Sequence, residues 1–153
     1  MSTKYEEMRQ AAINASQNWE AYRQRCVNYI GMFLDGFLRH CGIPENQITY
    51  LRWNGATDER RTYTLQGAMV FDESNGYWHL GISLDLTSMR FVMFLLCVTE
   101  ENTKPVFRFG GKSRSLDFND PSQTYPMYEE IVETIKRSFC ERRSSESRRI
   151  GFS

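Results

Sequence analysis

Apolar side chains recur at three- and four-residue steps through Met8, Ala12, Ala15, Trp19, Tyr22, Cys26, Ile30, Phe33, Phe37 and Cys41. That spacing keeps one face of an α-helix apolar over its whole length. Thr3 and Glu6 form a capping box ahead of the run, and Gly42 followed by Pro44 stops it. One helix over residues 3–41 would be about 57 Å long at 1.5 Å per residue. A chain of 153 residues makes one domain, and that domain is narrower than such a helix. Either the helix breaks near residues 14–16, or its N-terminal half projects and needs a partner.

The middle of the chain reads as strands. Residues 47–53 form a weak candidate, and 62–72 and 77–87 form strong ones flanking Asn75-Gly76. Asn-Gly between alternating segments is the most specific short hairpin signal. A two-residue loop there sets Ser74 opposite Tyr77, Phe71 opposite Leu80, Met69 opposite Ile82, Gly67 opposite Leu84 and Leu65 opposite Leu86. Apolar residues then share one face, and a slip of one residue would destroy the match. The other face becomes polar or small, with Asp72 beside His79 and Gln66 beside Asp85. Residues 90–99 are apolar on both parities and predict a central strand covered on both sides. Val106 to Phe109 and Ser115 to Phe118 predict a second hairpin around Gly110-Gly111-Lys112.

The last element is an amphipathic helix with Tyr128, Ile131, Val132, Ile135 and Phe139 on its apolar stripe. Asp120-Pro121 and Tyr125-Pro126 both offer it a start, since proline suits the first helical turn. The fold class is therefore α+β. A long N-terminal helix precedes an antiparallel meander of four to five strands, and a C-terminal helix packs on one sheet face. Residues 1–141 make the single domain, and 142–153 read as a basic, unstructured tail.

Composition narrows the function. Nineteen Lys and Arg balance nineteen Asp and Glu, so no overall electrostatic grip on nucleic acid is implied. Residues 136–149 are an exception, with six basic and two acidic residues. They allow weak, salt-sensitive nucleic-acid binding through the C-terminus. No signal peptide and no apolar stretch of membrane-spanning length is visible, which predicts a cytoplasmic protein without membrane contact. Cys26, Cys41, Cys97 and Cys140 form no CxxC pair. They read as buried free thiols.

No catalytic, metal or cofactor set emerges. Gly110-Gly111-Lys112-Ser113 lacks the first glycine of a P-loop, where Val106 stands, and precedes a strand rather than a helix. Lys112 and Arg114 on that loop could still contact an anion. His40 and Cys41 are adjacent on a helix and do not face each other. A His79–Asp72 pair could serve as a base, but Ser83 lies four residues along the strand, about 13 Å away. The expected function is a non-enzymatic protein-interaction module: an immunity-type inhibitor, an adaptor or a subunit of a complex. Its contact would be the first helix, through Trp19, Tyr22, Tyr29, Phe33 and Phe37, or the polar sheet face. The first helix is also apolar over an unusually wide arc from Tyr29 to Leu38. The alternative is a small-molecule or nucleotide site, possibly catalytic, lined by Gln66, Asp72, His79, Ser83, Asp85 and Arg108.

Overall fold

A computed structural model of the chain describes residues 3–53, 63–140 and the backbone of a short strand at 148–150. The first helix, α1 (Lys4–Cys41), runs its 38 residues without a break. Thr3 Oγ1 accepts the Glu6 N–H at 3.1 Å, and Gly42, at φ 69°, closes the C-terminus by donating its N–H to the Leu38 carbonyl. Of the two outcomes open to so long a helix, projection is the one realised. Every residue from 3 to 21 is exposed, and burial begins at Tyr22.

The sheet follows the path β1 (Ile48–Leu51), β3 (Tyr77–Thr87), β4 (Arg90–Glu101), β5 (Lys104–Phe109) and β6 (Lys112–Ser115), all antiparallel. The short β2 (Val70–Asp72) shares the β1 edge of β3, and β7 (Arg148–Ile150) lies parallel to β4. The antiparallel α+β architecture is thus the observed one. β7 falls within the segment expected to be an unstructured tail. Residues 141–147 and 151–153, the rest of it, lie outside the described residues.

The central hairpin departs from its expected register. Asp72 pairs with Tyr77, Phe71 with Trp78 and Val70 with His79, across a four-residue turn. Asp72 organises that turn. Its carbonyl accepts the Gly76 N–H at 2.9 Å, and its Oδ1 accepts both the Ser74 N–H and Ser74 Oγ. Gly76 supplies the left-handed conformation, at φ 76°. The shift is two residues, so every side chain keeps its predicted face and the apolar matching cannot detect it.

The expected strand at 62–72 also shortens to β2. Leu65–Ala68 is instead a helical turn, α2, capped by Thr64 Oγ1 accepting the Gly67 N–H at 3.0 Å. Leu65 reaches within 3.7 Å of where a Cβ on Gly31 would stand, so α2 covers a flank of α1. Gln66 is therefore outside the sheet, and β1 takes the place opposite Gly81 to Leu84 that residues 67–70 were expected to hold.

The helix α3 (Pro121–Cys140) uses the first of its two start signals. Asp120 Oδ1 accepts the Ser122 N–H at 3.0 Å, and Pro126 sits inside the helix. α1 and α3 pack on the same sheet face. Phe33 stacks on Phe107 at 4.7 Å, Phe37 meets Phe94, and both meet Tyr128 of α3. Gly36 makes this approach possible: a Cβ there would sit 3.1 Å from Tyr128 Cζ and closer still to its hydroxyl. These rings belong to the buried apolar core, and burial of apolar surface is the dominant favourable term in folding.

β4 is buried from Val92 to Thr99, on both parities, as a central strand should be. The opposite face of the sheet, expected to be solvated, is also buried at its centre. Gly81, Ser83, Met93, Leu95 and Cys97 are all buried, and the Leu51 side chain lies directly on Gly81.

Candidate interaction face and histidine cluster

Two features stand out from the fold. The first is the bare half of α1. Met8, Ala12, Ala15 and Trp19 continue at three- and four-residue steps the stripe that Cys26, Ile30, Phe33 and Phe37 bury lower down. At 3.6 residues per turn these positions share one azimuth. The face that meets the sheet in the second half of the helix is therefore open to solvent in the first half. Tyr5 is 69% exposed, Met8 65% and Trp19 42%.

The arm is firmly rooted. Trp19 meets Phe71 edge-on at 4.9 Å and lies 5.6 Å from both Trp78 and Tyr22. Arg23 stands over the Trp78 ring at 6.0 Å. Below them Arg25 Nε donates to Glu100 at 2.8 Å, Tyr29 Oη donates to the same carboxylate at 2.5 Å, and Tyr22 Oη shares a bond with Thr99 Oγ1 at 2.9 Å. The Arg25 bonds hold the Glu100 carboxyl below its usual range, with Tyr29 assisting. Burial, reinforced by Glu100, pushes the Tyr29 hydroxyl up to about 12.

Of the residues expected to contact a partner, Trp19 is exposed and Tyr22 and Tyr29 are half-buried in this root. Phe33 and Phe37 are core residues and unavailable to any partner. The wide apolar arc of α1 has an internal explanation, because the sheet, α3 and α2 cover it from three sides. Tyr5 and Met8 are the residues the sequence reading underweighted. The signal for them was the unbroken three-four spacing, which the width of the arc lower down obscured.

The second feature is a polar cluster at the β2–β3 turn. His79 is buried, with Nε2 at 3.5 Å from Asp72 Oδ2 and 3.2 Å from Asn75 Nδ2. Across the sheet His79 pairs with Cys97, and Cys97 with Arg108. Arg108 stands over the Tyr77 ring at 5.9 Å, and its buried Nε lacks a hydrogen-bond partner, as does Trp78 Nε1. Burial lowers the His79 pKa, against the pull of Asp72, with Arg108 lowering it further. Burial drives the Cys97 thiol up to about 12, so it stays protonated and is no nucleophile.

The structure brings Asp72, His79 and Arg108 together and adds Asn75 and Cys97. It leaves the other expected ligand residues apart. Ser83 is fully buried four residues along β3, Asp85 is half-buried beyond it, and Gln66 is exposed on α2. The cluster has a buried imidazole and a guanidinium but no activated nucleophile beside them.

Other expectations resolve simply. Lys112 and Arg114 both pair with Glu130 of α3. His40 bonds Glu129 at 2.6 Å and lies against Tyr125. Cys26 and Cys97 are buried, but Cys41 is half-buried and Cys140 exposed, because both sit at helix ends where packing thins. Among the described residues no group of three or more His, Cys, Asp or Glu could hold a metal ion, and no helix is long and apolar enough to cross a membrane.

Comparison with known protein families, with curated proteins and with solved structures finds no match.

Proposed function

We propose that the protein is a non-enzymatic interaction module, of the kind that serves as an inhibitor, an adaptor or a subunit of a complex, and that it grips a protein partner through the projecting half of α1. One observation carries this reading: α1 is exposed throughout from Lys4 down to Trp19, where it is rooted on Phe71 and Trp78, yet its apolar face there continues the face that builds the core. In proteins most helical stability comes from packing an amphipathic face rather than from propensity, and this face is unpacked over its N-terminal turns. The sheet face considered as an alternative contact is the weaker candidate, since its centre is buried.

The test is a native mass spectrum of the protein purified from its own host in gentle salt, compared with the double variant Tyr5→Glu, Met8→Glu. A stoichiometric second chain, or a defined homo-oligomer, is expected for the parent and lost in the variant, with the melting temperature unchanged. A bare monomer in both samples refutes the reading.

A second reading, a small-ligand site around His79, draws on the buried Arg108 Nε that has no partner. A His79→Ala variant that folds and retains every activity of the parent rules it out. The basic stretch raised as a nucleic-acid contact lies largely outside the described residues.

A further inference from the structure

Far from the projecting arm, two open cavities meet where β3 turns into β4. One, of about 500 Å³, lies between the C-terminal ends of α1 and α3 and exposes only apolar surface. Phe37, Cys41, Val132, Ile135 and Phe139 form its walls. The other, of about 820 Å³, is mixed in polarity and includes Gln47, Thr87, Ser88 and Arg90. The two share Ile43, Leu84 and Leu86, so the cavities adjoin along these three side chains. Each volume is within the range of small-molecule sites, roughly 300–1,000 Å³.

The charges around this double cavity are uneven. Among the described lining residues two are cationic, Arg90 at the polar end and Lys136 on the rim of the apolar end, and one is a carboxylate, Asp85. Lys136 pairs with Glu133 at 3.3 Å, but both side chains are mostly exposed. A pair of that kind contributes little and leaves the ammonium able to turn elsewhere. An apolar trough adjoining a polar antechamber, with two cations and one carboxylate in their linings, suits a single alkyl chain ending in an anionic head.

We propose that this double cavity binds a single-chain anionic amphiphile of the fatty-acid class, with the chain lying between α1 and α3 and the head beside Arg90. The exposed Met89 and half-exposed Leu86 at the β3–β4 turn mark the entrance.

Calorimetric titration of the full chain with octanoate, decanoate and dodecanoate, each below its micelle concentration, tests the assignment. Binding is expected to be one-to-one and to tighten about fourfold per added methylene. Decanoate should bind at least tenfold more tightly than decyltrimethylammonium. Leu86→Trp, at the shared wall, should weaken every chain length at least tenfold. Cys140→Trp, at an exposed position on the apolar rim, should do the same and covers the case in which the first variant does not fold. Arg90→Glu should abolish the preference for the anionic head. The proposal fails if no saturable binding is seen, if affinity is independent of chain length, if the folded tryptophan variants bind like the parent, or if the cationic amphiphile binds as well as the anionic one.

Discussion

Single residues decide how closely the layers of this fold approach. Gly36 is the clearest case, because the Tyr128 ring occupies the space its missing side chain leaves. Alanine is the better helix former by up to about 1 kcal/mol. At this position the gain is overridden by a buried clash, and overpacking of a core costs about 1–3 kcal/mol. Gly36→Ala is therefore expected to lower stability in chemical denaturation. Adding Tyr128→Phe should restore part of the loss, since the hydroxyl is the atom nearest the new methyl. His79 gives a second prediction. Its pKa is lowered by burial in the folded chain, whereas in the unfolded chain it titrates near 6.5. The unfolded state then binds more protons below that pH, so stability falls as pH drops through about 6.5 and is unaffected by this group above it. Denaturation midpoints between pH 5 and 7 should show that slope, and His79→Gln should flatten it.

At the scale of elements, α1 is two helices in one: a buried half held by the core and a bare half held by its own hydrogen bonds. A break in the bare half should leave the body untouched. Ser16→Pro costs about 3 kcal/mol of local helix stability, yet nothing around residue 16 is buried. The expected result is a clear loss of far-ultraviolet helical signal with no change in the melting temperature of the body. A fall in that melting temperature would mean that the arm N-terminal to Trp19 also packs on the body. The helix and its caps were legible in the sequence because Thr3, Glu6 and Gly42 act through local hydrogen bonds. The hairpin was legible in its faces but not its register, because strand parity repeats every two residues and the choice between turns rested on the hydrogen bonds of Asp72. α2 was not legible, since Thr64 to Met69 reads as a strand until Leu65 is seen to cover the side of α1.

Across the whole molecule, protection should be graded. β4 is paired on both sides and buried over eight consecutive residues. Its amides are expected to exchange only by global unfolding, whereas those of residues 4–21 should exchange by local fraying, many orders of magnitude faster. Hydrogen exchange read by mass spectrometry checks the ranking, and a slowly exchanging arm in the isolated protein would contradict it. The candidate sites were less legible than the fold for a reason of the same scale. Met8 and Trp19 are on the stripe that also carries Cys26 and Phe37. Only the end of the sheet determines which members of that stripe are covered, and where the sheet ends is set by contacts dozens of residues away.

The aromatic knot at the root of the arm has an optical consequence. Trp19 and Trp78 lie with ring centroids 5.6 Å apart, one on the helix and one on the sheet. Two indoles that close share their electronic transitions, so their near-ultraviolet dichroism and their emission depend on the angle between them. Any ligand that tilts or stiffens the helix announces itself in that signal, and no label has to be attached to see it.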